Sequence, residues 1–222
     1  MKRRPRAELL DTDCGSPNEI RATLLDLRWF NRWFGGLSTM RSLITTVAED
    51  ARQVEFSLLE VASGEGYVPQ VVSQELKRTN LSLHLVLLDQ RASHLPPNRS
   101  LPKVAGDALS LPFRDASFDL VCSSLFLHHL SPDDAVLFLR EALRVSRLAV
   151  LVHDLLRHPL HLMLAYLGTP LYRSRLTRND APASVWQAYT TDELRCFFAR
   201  AGASEVEIQE RYLYRMGAIA WK

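Results

Sequence analysis

The residues with chemistry to offer lie at the ends of short apolar runs. Phe56-Ser57-Leu58-Leu59 leads into Glu60 and then into a loop of small residues, Ala62-Ser63-Gly64-Glu65-Gly66. Glycines in such a loop let a ligand approach the backbone where a helix begins. A dinucleotide fingerprint needs a third glycine three residues beyond the second, and Pro69 stands there. An acid just below the loop repels a pyrophosphate and attracts a cation, so the loop suits a positively charged, nucleoside-like ligand. A second run, Ser82 to Leu88, ends in Asp89-Gln90. Its distance from the glycine loop, roughly 20 residues, is what a ribose-binding carboxylate requires. A third run closes in Gly106-Asp107-Ala108. A fourth, Leu120 to Ser124, contains Ser123 and delivers Phe126 and the pair His128-His129 to the same end. A fifth, Leu148 to Val152, ends in His153-Asp154. An imidazole with an ordinary pKa of about 6.5 can assist the loss of a proton from a phenol-type hydroxyl of pKa about 10. His128, His129 and His153 are therefore the candidate bases. One of the His128-His129 pair is expected to tie its loop to the backbone while the other faces the pocket, and the sequence leaves open which.

These positions need a scaffold that brings strand ends together. Apolar runs alternating with helical segments, without internal repeats, predict a mostly parallel, doubly wound Rossmann-like α/β sheet with helices on both faces. Ligands of such sheets bind at the carboxyl ends of the strands. Ser131-Pro132-Asp133-Asp134 starts a helix with a cap, a proline and acids facing the dipole. Thr190-Thr191-Asp192-Glu193 starts another as a capping box, which Gly202 ends. Val206 to Ile208 and Ile219 to Trp221 read as closing strands.

The boundaries follow from these elements. Residues 1–18 read as a mobile, solvated basic tail, and residues 19–222 as a single domain. Within it, residues 19–52 form an N-terminal helical lid broken at Gly35-Gly36, with Trp29, Phe30, Trp33 and Phe34 expected in its core. Residues 56–153 form the cofactor-binding core, 154–189 a lid insertion and 190–222 the last helix and strands. The insertion is too long for a plain connection. Leu160 to Leu167 reads as a helix, and Arg173 to Tyr189 as a polar loop. Arg157 and Arg215 are placed to hold an anionic acceptor, and Tyr189 to line the pocket from the lid.

Composition narrows the classes. Of 222 residues, 47% are hydrophobic and 23% charged, which excludes a disordered chain. A net charge of +2 gives no argument for a nucleic-acid partner. Cys14, Cys122 and Cys196 are widely spaced and form no disulfide framework or zinc motif, which suits a cytoplasmic setting. MKRRPR has no apolar core behind it, so it is not a secretion signal. The apolar stretch Leu148 to Tyr172 is interrupted by His153, Asp154, Arg157, His158 and His161, so integral membrane association is not expected.

LLEVASGEGYV resembles the first motif of the class I S-adenosylmethionine-dependent methyltransferases: two apolar residues, an acid, then glycines at three alternate positions. Ala62 replaces the first glycine and implies that no positive φ is needed there. Asp89, Gly106-Asp107-Ala108, and Leu111-Pro112-Phe113 with Ser117-Phe118-Asp119-Leu120-Val121 continue the likeness. Leu127-His128-His129-Leu130 brings it near the quinone and small-molecule methylases. The resemblance implies a seven-stranded sheet with an antiparallel last strand, S-adenosyl-L-methionine as cofactor and S-adenosyl-L-homocysteine as product. It implies that Asp107 accepts from the adenine amine and that the Ala108 N–H meets a ring nitrogen. It further implies a small-molecule acceptor, phenolic, quinol or polyketide-like, methylated at oxygen, with carbon as the runner-up. The proline motif of amino-directed nucleic-acid methylases is absent, since the fourth strand ends Cys122-Ser123-Ser124-Leu125 and Leu95-Pro96-Pro97-Asn98 lies in another connection. Methyl transfer from a sulfonium needs alignment and exclusion of water, which explains why the sequence shows neither a nucleophilic triad nor a metal-ligand cluster.

Overall fold

The first, second, fourth and fifth apolar runs become strands buried over most of their length, as parallel strands between helical layers must be. In the computed structural model, which describes residues 1–12, 15–96 and 101–222, fourteen elements follow in order. They are α1 (Pro17–Trp33), α2 (Gly36–Ala51), β1 (Glu55–Val61), α3 (Tyr67–Lys77), β2 (Ser82–Asp89), β3 (Lys103–Ala105), β4 (Phe118–Ser124), α4 (Pro132–Val145), β5 (Ser146–Leu155), α5 (Pro159–Leu167), α6 (Arg175–Gln187), α7 (Thr191–Ala201), β6 (Glu205–Arg211) and β7 (Arg215–Trp221). Short 3₁₀ turns lie at Leu127–His129 and Thr169–Leu171. Cys14 and the Pro97-Asn98 pair lie outside the described residues.

The sheet order is β3-β2-β1-β4-β5-β7-β6. All pairs are parallel except β5 with β7 and β7 with β6. The order turns back at β1, whose neighbours are β2 and β4, so the crevice for a ligand opens above β1. Helices α2 and α3 cover one face through Met40, Leu43, Ile44, Val47 and Val72, and α4 and α7 cover the other through Phe138, Leu139, Leu194 and Phe198. The capping signals act as read: Ser131 accepts from the Asp134 N–H, Thr190 and Glu193 form a reciprocal box, and Gly202 ends α7 at φ 92. Among the described residues, no helix is long and apolar enough to cross a membrane.

Two expectations are corrected. Arg173 to Tyr189 is not a polar loop but contains α6, capped by Ser174 and carrying Pro182 inside it. Its buried side includes Asp180, Ser184 and Gln187, which read as a surface until their partners are known. Those partners come from residues 1–12, which stay exposed at Lys2, Arg4 and Arg6 but dock through Arg3, Glu8, Leu9 and Leu10. Glu8 is buried and accepts from Ser184 Oγ (2.5 Å) and Gln187 Nε2 (2.8 Å). Leu9 and Leu10 donate their N–H groups to Asp180, at 2.8 and 3.0 Å. Arg3 donates to the carbonyls of Gln187, His128 and Leu130, and its guanidinium lies over the Tyr189 ring, 4.3 Å from the centroid. Backbone carbonyls thus take up the charge of Arg3, and a side-chain hydroxyl and amide that of Glu8.

Candidate active site

A cavity of about 1160 Å³ opens at the carboxyl ends of β1, β2 and β4 and runs under α1, α5, α6 and the N-terminal segment. At its sheet end the glycine loop turns sharply. Ala62, Gly64 and Gly66 all take positive φ, at 55°, 50° and 68°. The alanine therefore does adopt the left-handed conformation that its side chain was expected to exclude, at a cost of about 1–2 kcal/mol. Asp89 Oδ2 accepts from the Gly64 N–H at 2.9 Å and Oδ1 from the Arg91 N–H at 3.1 Å, which locks the loop to the end of β2. Gly66 lies off the cavity wall. It closes the turn, donating to the Ser63 carbonyl at 2.8 Å, and a Cβ there would come within 2.6 Å of Leu87.

Glu60, Ala62, Ser63, Gly64, Asp89, Gln90, Gly106, Asp107 and Ala108 all line this end. Asp107 Oδ1 accepts from the Leu109 N–H at 2.9 Å. Glu60 is almost fully buried, and its Oε2 has no partner. Burial pushes its pKa up to about 7, moderated by Ser124. A Cβ on Gly64 would meet nothing within 4 Å, so the loop faces open space. An orphaned buried acid beside an uncrowded loop and two further strand-end acids fits a nucleoside carrying positive charge. Ser123 does not contribute, because it is buried off the cavity, and its neighbour Ser124 lines the wall instead.

The far end is largely apolar. Trp29, Phe30 and Phe34 were expected in a helical core, yet they line the cavity with Phe126, Leu164 and Tyr172, while Trp33 is 62% exposed. Arg215 reaches the cavity, buried and with Nη1 unpartnered, and burial lowers its pKa to about 10 against the pull of Asp154.

His128 and His129 both line the cavity. His128 Nδ1 meets Asp154 Oδ1 at 2.6 Å, and its backbone N–H donates to Asp154 Oδ2 at 3.1 Å. Burial alone would lower its pKa, but Asp154 and then Glu8 outweigh it and hold the group at about 10. His129 Nδ1 meets Asp11 Oδ2 at 2.8 Å. Both Nε2 atoms turn toward Glu8 Oε1, at 3.4 and 3.9 Å. Glu8 and Asp11 were missed because they sit in the segment read as a tail, and no local signal marks them.

Three other expected site residues are structural. His153 is fully buried off the cavity with neither ring nitrogen partnered, and burial and Arg215 lower its pKa to about 3. Arg157 donates to the Met1 carbonyl (2.9 Å), the Ala188 carbonyl (2.9 Å) and Glu193 (2.8 Å), and it does not line the cavity. Tyr189 is buried, its hydroxyl donating to the Leu130 carbonyl at 2.8 Å. Asp119 lies at the opposite end of β4, accepting from the Ser57 N–H and hydroxyl and from Arg147.

Residues 59–149 match the family model of the methyltransferase domain. No curated protein matches the chain. The plantazolicin methyltransferase BpumL in complex with SAH superposes with a TM-score of 0.70 at 11% identity, covering 97% of this chain and 94% of that one. Magnesium protoporphyrin IX methyltransferase (ChlM) from Synechocystis PCC 6803, with bound SAH, gives 0.56 at 13%, covering 85% and 83%. A SAM dependent methyltransferase from Aquifex aeolicus gives 0.53 at 14%, covering 78% and 87%. At these identities the common property is the fold. The match over residues 59–149 adds a methyltransferase domain to that fold, with S-adenosylmethionine as its cofactor.

Proposed function

We propose that the protein methylates an oxygen of a small, largely apolar acceptor of phenolic, quinol or polyketide-like character. The observation that carries this is the continuity of one cavity, from an acid-lined end beneath the glycine loop to an aromatic-walled chamber, with two histidines on its wall. Asp89 would take the ribose hydroxyls, Asp107 and the Ala108 N–H the adenine edge, and Glu60 the cationic end of the cofactor. The bound cofactor supplies a methyl group on a good leaving group. The chain's work is then to orient the acceptor and keep water out, which the aromatic wall of α1 and the α5–α6 roof perform. The acceptor's proton leaves at His129, on the cavity wall beside Glu8, since Asp154 and Glu8 already hold His128 protonated. Asp154 and Asp11 fix the two imidazoles at Nδ1 and keep Nε2 for the cavity. Arg215, buried at the wall with Nη1 free, favours an acceptor that develops negative charge. The free thiols of Cys122 and Cys196 support a cytoplasmic setting.

The test is incubation with S-adenosylmethionine and a panel of phenols, hydroquinones and resorcinols, with the new methyl group located by NMR. A methyl ether is expected. A carbon- or nitrogen-bound methyl, or no product from any member, would overturn the oxygen assignment. Asp89→Ala should weaken S-adenosylhomocysteine binding by about 1–3 kcal/mol, since the ribose hydroxyls lose a charged acceptor. Unchanged affinity in calorimetry would remove Asp89 from the site.

A further inference from the structure

We infer that Glu8, His128 and His129 form a binding site for a divalent transition metal of the zinc class, open to the acceptor cavity. The donor atoms of the three residues lie within 4.8 Å of one another. His128 Nε2 and His129 Nε2 stand 3.4 and 3.9 Å from Glu8 Oε1. Charge-assisted hydrogen bonds run at about 2.7–2.9 Å, so neither contact is a good one. Ligands sharing an ion behave differently: donors about 2.0–2.2 Å from a tetrahedral zinc sit about 3.4 Å from each other. The two rings lie 4.2 Å apart at an interplanar angle of 35°, and both Nε2 atoms face Glu8 Oε1.

The surroundings support the same conclusion. Each imidazole meets a carboxylate at Nδ1, His128 with Asp154 at 2.6 Å and His129 with Asp11 at 2.8 Å. That arrangement fixes the ring orientation of metal-ligating histidines and aims Nε2 at the ion, which displaces its proton on binding. Ligating carboxylates are hydrogen-bonded in turn, and Ser184 and Gln187 hold Glu8 in this way. Two imidazoles and one carboxylate suit zinc or a kindred first-row ion, with at least one position left over. All three residues line the cavity, so that position faces the acceptor. With the ion in place His129 Nε2 no longer takes the proton; an acceptor hydroxyl bound there would instead ionise more readily, its proton passing to water. That role rests on the O-methylation proposed above, whereas binding of the ion does not.

Chelator-treated protein should be titrated with Co²⁺, followed by visible absorption, and with Zn²⁺ by calorimetry. The expected result is one ion per chain. His129→Ala, at a partly exposed position, and Glu8→Gln should each weaken binding by at least about tenfold, and Asp11→Asn by about 10–100-fold. Retained binding of S-adenosylhomocysteine shows that these variants are folded. Absence of Co²⁺ and Zn²⁺ binding in the wild type, or undiminished binding in folded His129→Ala, overturns the site. A negative acceptor panel leaves this result standing, and a negative metal titration leaves the panel standing.

Discussion

At the scale of the residue, the energetics turn on titratable groups that burial has displaced. Glu60 holds its proton more tightly folded than unfolded, so stability falls as pH rises from about 4.5 to about 7 and the full cost is carried above that. At 1.36 kcal/mol per pH unit, the difference amounts to ~3 kcal/mol. Glu60→Gln should therefore raise the melting temperature at pH about 8 while weakening S-adenosylhomocysteine binding, a trade of function against stability. Thermal melts and calorimetry check both, and an unchanged melt would show that Glu60 is not strained in the unliganded fold. His153 works in the opposite direction. It is neutral in both states near neutrality, but between about 6.5 and about 3 only the unfolded chain takes up the proton, so stability is lost as pH falls through that window. His153→Leu replaces two unpartnered nitrogens and should flatten the acid limb of the stability profile without loss of turnover. A turnover loss of about 100-fold, the size of a missing acid–base group, would return His153 to the chemistry.

At the scale of the element, the histidine loop and the cavity roof are held by a few polar fasteners. Arg157, just beyond β5, ties the Ala188 carbonyl at the end of α6 to Glu193 in the first turn of α7 and to the Met1 carbonyl. Arg157→Ala leaves the Ala188 carbonyl and the half-buried Glu193 without this donor and should cost about 3 kcal/mol, by analogy with removal of one partner of a buried pair. Denaturant titration measures this, and a change confined to the acceptor KM would restore Arg157 to the substrate. Asp26, buried on α1, accepts from the Arg173 and Ser174 N–H groups and fastens α1 to the start of α6. β1, β2, β4 and β5 were legible because each is an apolar run of the right length, β6 because it alternates, and the caps of α4 and α7 because capping is local. α6 was not, because its buried face carries Asp180, Ser184 and Gln187 rather than an apolar stripe.

At the scale of the whole molecule, the first twelve residues complete the acceptor chamber. Glu8, Leu10 and Asp11 line it, and Arg3 braces the carbonyls of His128 and Leu130. Deleting residues 1–12 should leave S-adenosylhomocysteine binding within a few-fold of the full chain, because the glycine loop, Asp89 and Asp107 belong to other elements. Methyl transfer should be lost, since the cluster loses Glu8 and the chamber opens to water. Calorimetry together with a turnover assay separates the two effects. Full turnover by the shortened chain would remove the N-terminal segment from the site.

The sequence by itself determined the strand–loop–helix units, the acids at their ends and hence the cofactor, because those features are short-range and repeat at fixed spacing. It could not decide between neighbours on one strand. Adjacent side chains point to opposite faces, so Ser124 reaches the cavity and Ser123 does not, and Asp154 meets His128 while His153 is sealed in the sheet. Nor could it assign the charges of the first twelve residues, whose partners lie at the far end of the chain. Only the tertiary structure, by bringing α6 against that segment, placed Glu8, Leu10 and Asp11 in the cavity wall.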